Sequence, residues 1–352
     1  MIKIGISIGD LNGIGPEVVV KTFGDNAMLN RCTPIIYASQ KSLAWWRKHL
    51  QIEGLAFTTI SSIDKTIAKQ INIIEVWTED IQIDPGKELP VTGKYAIKSF
   101  EAVCKDLQAK KIDAIVTAPI SKKNVQSTDF PYHGHTDYLA KLFGNGDALM
   151  MMVSDDLRVG LATVHIPITD VSKNISTDGL QRKIELLAKS LRTDFGIESP
   201  KIAVLGLNPH AGEGGTIGQE EKNIITPAIQ KLKEKKIMVF GPYSSDGFFG
   251  NAQYKHFDAV LALYHDQGLI PFKTLAFDSG VNYSAGLSAV RTSPDHGTAF
   301  DIAGKNLADE SSFRSAVFAA IDIVQHRNNY VEMTANPLKR NQMNIERAGG
   351  VA

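Results

Sequence analysis

The segment that decides the fold is Ala259-Val260-Leu261-Ala262-Leu263-Tyr264-His265-Asp266-Gln267-Gly268. Its first six residues form a nearly apolar run, which predicts a buried strand, and the run ends abruptly at an imidazole and a carboxylate. Open α/β sheets carry their ligand sites at the carboxyl ends of strands, where the loops diverge. The segment therefore predicts an α/β sheet with functional side chains at the ends of its strands.

The same pattern occurs twice upstream. A strand-like run at 157–164 is closed by His165, and another at 201–207 is closed by Asn208-Pro209-His210. A single histidine at a strand end is usually a hydrogen-bonded structural residue. Three in one topological position favour a site for zinc or a similar divalent ion, because neutral imidazoles are good ligands and adjacent strand ends are neighbours in space.

Strand-like and helical segments alternate through the rest of the chain, which predicts parallel βαβ units. The segments 148–153 and 157–164 predict a hairpin, so some strands are antiparallel. With 352 residues the chain exceeds one ordinary core, which favours two lobes. We therefore predict a two-lobed α/β/α fold with largely parallel sheets. Amphipathic helices are expected at 177–195 and 312–325, and the tail beyond Asn336 is expected to be loosely ordered.

Composition excludes several classes of protein. Lysine plus arginine equal aspartate plus glutamate at 38 each, which argues against non-specific nucleic-acid binding and against a membrane-surface role. Cys32 and Cys104 are the only cysteines, too few for a disulfide framework or a thiolate metal site. No apolar run approaches the roughly 18 residues of a membrane span, and no signal peptide is recognisable. We expect a cytoplasmic protein.

Three further polar stretches are candidates for anion binding. The glycine-rich turn 9–17 is followed by a predicted helix and is either a phosphate cradle or a plain tight turn, since its spacing is neither G-x-G-x-x-G nor a P-loop. The cluster 133–137 opens another helix, either as an anion site or as a cap formed by Thr136 or Asp137. Lys273 and Arg291 follow the third histidine among turn residues and suit a phosphate or carboxylate, or else are solvated at the surface.

A metal beside anion-binding cations suggests chemistry on a small phosphorylated acid. Asp266 and Glu213 are candidates to orient the metal-binding imidazoles. A divalent ion acidifies a coordinated hydroxyl, the alkoxide expels hydride, and the resulting ketone accepts the electrons of a β-carboxylate that leaves as carbon dioxide. The histidines alone leave open whether a redox cofactor takes part.

The chain resembles the 4-hydroxythreonine-4-phosphate dehydrogenase family, NAD-dependent enzymes of vitamin B6 biosynthesis. The resemblance spans essentially the whole chain. The motifs that carry it are Gly13-Ile14-Gly15-Pro16-Glu17, His133-Gly134-His135-Thr136, Asn208-Pro209-His210-Ala211-Gly212-Glu213, Tyr264-His265-Asp266-Gln267-Gly268-Leu269, and Arg291-Thr292-Ser293 with Asp295-His296-Gly297-Thr298-Ala299-Phe300-Asp301. Leu11-Asn12 replace the family's usual Pro-Ala, and Ser245 stands where alanine is common.

The last motif is similar to the nucleotide loop of isocitrate and isopropylmalate dehydrogenases. The resemblance therefore implies their fold, which binds NAD without the G-x-G-x-x-G fingerprint and has its active site in the cleft between two lobes. It implies an NAD-binding lobe formed by 1–135 with 285–352, and a metal, substrate and dimerisation lobe formed by 136–284.

The resemblance also implies roles for individual residues. One divalent ion (zinc, cobalt or magnesium) is expected on the three catalytic histidines, His165, His210 and His265, with Lys273 as a further catalytic residue. Substrate contacts are expected at His135, Thr136, Lys273, Asn282, Arg291 and Asp246. Contacts to NAD, or possibly NADP, are expected at Asp295, His296, Gly297, Thr298 and Asp301.

A homodimer is implied as well, with one histidine of each site coming from the neighbouring subunit. The implied reaction oxidises C3 of 4-phosphooxy-L-threonine and then releases carbon dioxide to give 3-amino-2-oxopropyl phosphate, a step towards pyridoxine 5'-phosphate.

Three alternatives remain open at this point. A catabolic relative that oxidises threonate or erythronate 4-phosphate would keep the same metal and phosphate residues. A phosphate acyltransferase shares the broad fold but has no need of three histidines or of the loop 295–301. A non-catalytic nucleotide-binding protein would be indifferent to the loss of His210.

Overall fold

A single sheet of twelve strands runs through the protein, whose computed structural model describes residues 1–126, 130–132 and 134–336. The strands are β1 (Lys3–Ser7), β2 (Thr33–Ala38), β3 (Phe57–Ile60), β4 (Ile71–Glu75), β5 (Ala114–Thr117), β6 (Gly144–Val153), β7 (Arg158–Leu161), β8 (Ile202–Leu205), β9 (Val239–Tyr243), β10 (Ala259–Ala262), β11 (Val281–Leu287) and β12 (Val290–Pro294). The helices are α1 (Gly15–Gly24), α2 (Gln40–His49), α3 (Pro90–Gln108), α4 (Lys122–Val125), α5 (His135–Phe143), α6 (Thr177–Thr193), α7 (Thr226–Glu234), α8 (Ser245–Gly250), α9 (His265–Ala276) and α10 (Ser311–Ala335).

The strand order is β3-β4-β2-β1-β5-β12-β11-β6-β7-β10-β8-β9. The six strands from β3 to β12 are parallel, and so are the four from β7 to β9. Between these two blocks, β11 and β6 pair antiparallel to each other and to their outer neighbours. The predicted mixture of parallel and antiparallel strands is confirmed, and so is the hairpin, which is β6 with β7. The two blocks belong to one continuous sheet rather than to separate sheets.

The strands are apolar because helices cover both faces of the parallel blocks. All six residues of β2 are buried, as are all four of β5, β8 and β10. The helices show the complementary pattern: α6 buries Leu180, Ile184 and Leu187 on one face, and the Ser176 side chain accepts a hydrogen bond from the Gly179 amide at its start. No helix within the described ranges is long and apolar enough to cross a membrane.

The segment from His265 to Pro294 is more regular than its sequence suggests. Lys273 lies on α9 and Arg291 lies on β12, whereas the sequence predicted turns around both. Gly268 and Pro271 are poor helix formers, so the sequence of α9 does not look helical. The glycine is needed for packing, since a Cβ there would come within 2.9 Å of Ala262 and Leu161. The final helix also continues to Ala335, ten residues beyond its predicted end at Gln325. His133 and the tail from 337 lie outside the described residues.

A buried ion pair ties the middle of the sheet to the helices behind it. The Asp194 carboxylate, at the end of α6, accepts hydrogen bonds from the Tyr283 hydroxyl at 2.6 Å and from Arg327 Nε at 2.8 Å. Arg327 Nη2 also donates to the Tyr283 hydroxyl at 3.0 Å. Tyr283 belongs to β11, so this network fixes the strand that carries Asn282 and joins the two parallel blocks.

Candidate active site

A cleft of about 480 Å³ opens between the two parallel blocks. The end of β5, the start of α5, the middle of β11 and the end of β12 all contribute to its wall. Its polar lining includes most of the residues that the sequence singled out, namely His135, Thr136, His165, Asn282, Arg291, Asp295, His296 and Gly297. Strands that are distant along the chain thus deliver predicted site residues to one cavity.

Arg291 is the buried cation of this cleft. Its side chain is almost fully enclosed, with 4% of the residue exposed, and Thr117 Oγ1 accepts from its Nε at 3.1 Å and from its Nη2 at 2.8 Å. No carboxylate in the described part of the chain pairs with it, and Nη1 has no partner there. Burial lowers its pKa to about 10, so it stays charged at neutral pH. A buried, unpaired guanidinium is expensive and suits a bound anion.

His135 stands beside Arg291 as a neutral partner. Its Nδ1 lies 3.4 Å from Arg291 Nη2, and its ring packs against Phe100 at 4.3 Å between centroids. Burial first, and then the charge of Arg291, hold the pKa of His135 well below its ordinary value of 6.5. His135 is the first residue of α5, whose start at Gly134 has no side-chain cap. Because Gly134 is the N-cap, the alternative in which Thr136 or Asp137 caps this helix is wrong, and residues 134–137 at the start of the helix line the cleft.

Several other polar atoms in the cleft wall lack partners. Asn282 Oδ1 and Ser284 Oγ, two residues apart on β11, are buried and have no hydrogen-bond partner among the residues that the structure describes. Asp295 Oδ2 and His296 Nε2 are in the same condition at the end of β12. Buried polar groups are normally satisfied, so their concentration around one cavity indicates a site built for a polar ligand.

The three strands that precede the predicted metal ligands are adjacent and parallel, in the order β7, β10, β8. The rings of His165 and His265 come together, with 5.8 Å between their centroids. Asp266 Oδ1 lies 2.7 Å from His265 Nδ1, which leaves Nε2 of that ring for a ligand. Burial chiefly, and the charges of Lys122 and His265, lower the pKa of His165, so its ring is neutral at neutral pH. His165 lines both the cleft and a second cavity of about 370 Å³ on the His265 side.

His210 does not join this pair within one chain. The residues from His210 to Gly214 form a left-handed turn with φ between +42° and +77°. Glu221 supports the turn, since its carboxylate accepts from the Leu207 amide and the Asn208 amide, both at 2.7 Å. Across the described ranges, no three His, Cys, Asp or Glu side chains are grouped to hold a metal. Asp246 is electrostatically coupled to His210: its pKa is lowered mainly by a hydrogen bond from Ser244 and to a smaller extent by His210.

The donor set fits a divalent ion in part. Two imidazoles, one of them held 2.7 Å from a carboxylate oxygen, are ligands that zinc or cobalt accepts, but a catalytic site needs three protein ligands. One chain thus brings two candidate ligands together at a cavity, and no group of three is formed within the described residues.

The predicted cofactor residues are divided between the cleft and the protein surface. Asp295, His296 and Gly297 line the cleft, whereas Thr298 and Asp301 do not. Lys273 also lies outside the lining but reaches Asp295, with 3.2 Å from its Nζ to Oδ1. Burial raises the pKa of Asp295 and lowers that of His296. The unpaired Asp295 and His296 atoms fit a ligand with both donors and acceptors, as a dinucleotide has.

The glycine-rich turn 9–17 is structural. Its residues are all buried. Asn12 Oδ1 accepts from the Asp84 amide at 3.0 Å, and Asn12 Nδ2 donates to Lys87 O at 2.9 Å. Because the turn is occupied by the chain itself, the tight-turn interpretation is favoured over the phosphate cradle.

Comparison with known proteins shows which family the chain belongs to. The family model for the pyridoxal phosphate biosynthetic protein PdxA matches residues 30–320, most of the chain. The chain belongs to this family.

Two curated relatives cover nearly all of the chain. A 4-hydroxythreonine-4-phosphate dehydrogenase of Bacteroides thetaiotaomicron is 46% identical over 96% of this chain and 93% of its own length. A protein of Oceanobacillus iheyensis, provisionally assigned as a D-threonate 4-phosphate dehydrogenase, is 36% identical over 91% of this chain and 97% of its own.

Solved PdxA-like structures agree with the fold. A 4-hydroxythreonine-4-phosphate dehydrogenase structure from Burkholderia phymatum superposes with a TM-score of 0.76 at 37% identity, covering 92% of this chain and 98% of its own. The isocitrate dehydrogenase of Methylococcus capsulatus superposes with a TM-score of 0.51 at 14% identity, covering 93% of this chain and 87% of its own, which shows likeness of fold alone.

Two cleft residues of this PdxA family member escaped prediction. Thr117 accepts both hydrogen bonds that orient Arg291, and Ser284 presents an unpaired hydroxyl beside Asn282. Thr117 is the last residue of β5, where strand ends carry ligand sites, and Ser284 lies two residues from Asn282 on β11 and so on the same strand face.

Proposed function

We propose that the protein is an NAD-dependent, divalent-metal-dependent dehydrogenase that oxidises 4-phosphooxy-L-threonine at C3 and releases carbon dioxide to form 3-amino-2-oxopropyl phosphate. This reaction would serve pyridoxine 5'-phosphate biosynthesis. Membership of the PdxA family supports the proposal. The observation that carries it is the buried Arg291, which has no carboxylate partner among the described residues and stands beside a neutral imidazole in a cleft that also contains His165.

Arg291, His135 and Thr136 would bind the phosphate. The guanidinium is already desolvated and fixed by Thr117, so little reorganisation opposes anion binding. The free Nε2 of His135 and the uncapped amides of α5 add neutral donors. Asn282 and Ser284 face the same space and would orient the polar groups on the substrate carbon chain.

His165 and His265 would hold the metal, with His210 of the partner subunit as the third ligand in a homodimer. A divalent ion held there would lower the pKa of the substrate hydroxyl and polarise the resulting ketone. The exposed apolar side chains of Ile166 and Ile168, 37% and 66% exposed, flank the histidine pair and suit burial against a second subunit. His165 spans both cavities and so would link the metal to the phosphate-binding cleft.

Asp295, His296 and Gly297 would face the cofactor. NAD would accept the hydride from C3, and the hydroxyl proton would leave to solvent. The C–C bond to the carboxylate then breaks, its electron pair moves into the enol form of the ketone, and a proton returns to carbon. Substrate and NAD⁺ are thus converted to aminooxopropyl phosphate, carbon dioxide and NADH, which balances atoms and electrons. Lys273, paired with Asp295, is placed to set the charge at this edge of the cleft.

One alternative is favoured by a specific observation. The Oceanobacillus iheyensis relative is provisionally a D-threonate 4-phosphate dehydrogenase and covers almost the whole chain. Threonate carries a hydroxyl where the proposed substrate carries an amino group, so the phosphate and metal contacts would be the same. A phosphate acyltransferase shares the fold but would leave the pair His165 and His265 without a use.

The test is NADH formation with 4-phosphooxy-L-threonine, D-threonate 4-phosphate and D-erythronate 4-phosphate, each with and without a chelator. We expect turnover of the first at a kcat/KM at least about tenfold above the others, since loss of a matched polar contact costs that much. Chelation should stop it, and zinc, cobalt or magnesium should restore it. Turnover of threonate phosphate alone would favour the catabolic alternative over the proposal. NADH formation that does not depend on a metal would show that the assignment of the histidines as metal ligands is wrong.

A further inference from the structure

The motif Gly13-Ile14-Gly15-Pro16-Glu17 contacts a second part of the chain instead of the cleft. The Ile14 amide donates to Thr298 O at 2.9 Å. A Cβ on Gly13 would lie 3.0 Å from the same carbonyl, so only glycine allows this approach without displacement. The contact brings the start of α1 against the segment 298–308, which continues from the cleft residues Asp295, His296 and Gly297.

Glu17 anchors the far end of that segment. It lies in the first turn of α1 and is completely buried. Its Oε2 accepts from the Gly304 amide at 3.2 Å, and its Oε1 accepts from the Ala308 amide at 3.1 Å. One carboxylate therefore satisfies two main-chain donors of a segment nearly 290 residues away in sequence.

Lys21, one turn further along α1, completes the arrangement. Its Nζ lies 2.9 Å from Glu17 Oε1 and donates to Ala308 O at 2.7 Å and to Asn306 O at 3.2 Å. A buried ion pair contributes little unless its remaining hydrogen-bonding groups are satisfied. Here the other hydrogen bonds of both side chains are made to backbone groups of residues 304–308.

The same segment has a third attachment, on α2. His49 Nε2 lies 2.7 Å from Gly304 O. Gly304 has φ +73°, and a Cβ there would come within 2.5 Å of Pro85. The backbone between Thr298 and Ala308 is thus tied at its start, its middle and its end, while Gly297 and Asp301 remain exposed.

We propose that Glu17 and Lys21 are positioning residues that hold the segment 298–308 in one conformation. They thereby set the affinity for the nicotinamide dinucleotide of residues 295–301, which run from the cleft into this segment, without touching the dinucleotide. A loop that is already ordered loses less conformational entropy when it binds a ligand. The identity of the ligand rests on the proposed function, whereas the ordering of the segment does not. The charged pair and Gly13 act on the same segment through different contacts, which allows independent tests.

The first experiment is amide hydrogen exchange on the ligand-free protein. Glu17→Gln keeps the shape of the side chain but places an NH₂ where one of the two amides donates, and Lys21→Met removes the donor to two carbonyls. Both should raise exchange within 298–308 by about tenfold or more and leave the strands unchanged. Arg327→Met removes an ion pair of similar burial, Arg327 with Asp194, and should lower overall stability without selective exchange in 298–308.

The second experiment separates cofactor from substrate. In Glu17→Gln and Lys21→Met we expect the Kd for NAD⁺, measured by calorimetry, and the KM for NAD⁺ to rise about tenfold, with the KM for the phosphorylated substrate nearly unchanged. Lys21→Arg, which can still donate to both carbonyls and the carboxylate, should recover most of the affinity. Gly13→Ala, which alters no charge, should weaken NAD⁺ binding in the same direction.

The outcomes are distinct. Unaltered exchange in 298–308 in the folded Lys21→Met and Gly13→Ala proteins would overturn the proposal, even if Glu17→Gln fails to fold. An equal rise in both KM values, or the same rise in Arg327→Met, would show a general loss of stability and would also overturn it. If the wild-type protein does not bind NAD⁺, the proposed function fails, and selective exchange in 298–308 still decides whether the pair orders the segment.

Discussion

The candidate site has a proposed phosphate-binding half (Arg291, His135 and Thr117) and a proposed metal-binding half (His165 and His265). The two differ in how much of each one chain supplies. Arg291, His135 and Thr117 are buried, belong to one chain, and are joined by contacts from Arg291 to each of the other two. His165 and His265 are partly exposed, and the third histidine lies elsewhere. A buried cation such as Arg291 can be kept in place by neutral side chains of its own chain, here Thr117 and His135. A metal site that one chain leaves incomplete depends instead on assembly.

The largest effect is expected in the metal-binding half. His265→Ala removes one of two converging imidazoles and should lower kcat by more than about a thousandfold, since electrostatic stabilisation of the transition state is lost. The far-ultraviolet circular dichroism and the unfolding temperature should change little, because His265 is partly exposed. His256→Ala, which removes an exposed histidine on another face, is the matched control and should retain activity.

Mixing subunits tests the difference between the halves directly. If His210 acts in trans, His210→Ala and His265→Ala proteins that are inactive alone should regain up to about a quarter of wild-type activity after subunit exchange, because half of the dimers are mixed and one of their two sites is intact. Arg291→Met mixed with His135→Gln should regain nothing, because both residues belong to the same chain's site. If both mixtures recovered the same activity, the two halves of the site would not differ in whether a second subunit completes them.

The next largest effect concerns Arg291. Arg291→Met should raise the KM for substrate about a hundredfold, as loss of about 3 kcal/mol of charge-assisted binding implies, and lower kcat much less. The free energy of unfolding should stay the same or rise by about 1 kcal/mol, because a buried unpaired cation is replaced by an apolar side chain. Arg291→Lys keeps the positive charge but loses the planar, two-pronged guanidinium. Its KM for substrate should therefore lie between those of the wild type and Arg291→Met. A clear loss of stability in Arg291→Met would show that the guanidinium is structural.

A smaller effect is expected of His135 on how the free energy of unfolding depends on pH below 6.5. The pKa of His135 in the folded protein is well below 6.5, whereas the unfolded chain takes up that proton near 6.5. The unfolded state therefore binds more protons below pH 6.5, and this contribution to the free energy of unfolding falls there by up to about 1.4 kcal/mol per pH unit. His135→Gln should remove that part of the slope in urea unfolding between pH 6.5 and 5. An unchanged slope would mean that the folded protein protonates the ring.

The smallest effect is expected from Thr117→Val. The change keeps the shape of the side chain but removes the oxygen that accepts from Nε and Nη2 of Arg291. Loss of this neutral acceptor should cost about 1 kcal/mol, which corresponds to roughly a fivefold rise in the KM for substrate. Thr117→Ser should restore the wild-type value. If the valine variant binds substrate normally, the cleft orients Arg291 by packing alone.

The same contrast explains what the sequence could predict. The histidine strands are short apolar runs that end in an imidazole, and β7, β8 and β10 lie where their patterns indicate. The expectation that their ends are neighbours follows from parallel pairing, which is a general rule of such sheets. Whether the three rings meet in one chain depends on the distance between loops, and no local pattern encodes it.

The phosphate-binding half was harder to predict because its strand looks like a loop. The residues of β12, Val290-Arg291-Thr292-Ser293-Pro294, are mostly polar, yet all five are buried in the middle of the sheet. Some of their polar groups bond to distant chain segments, as when Thr292 Oγ1 donates to Ala316 O at 2.7 Å, whereas Arg291 Nη1 has no partner among the described residues. Burial of a polar strand is a property of the tertiary structure, so single-residue preferences assign it to the surface.

The left-handed turn at His210 has a bearing on how homologues are compared. Its non-glycine residues His210, Ala211 and Glu213 each adopt a conformation that costs about 1–2 kcal/mol relative to glycine. A homologue is thus under steric pressure to keep Gly212 and Gly214 whatever it binds, and only the imidazole at 210 bears on the proposed metal site. A relative that retains both glycines but carries another residue at 210 should preserve the turn and have no three-histidine centre.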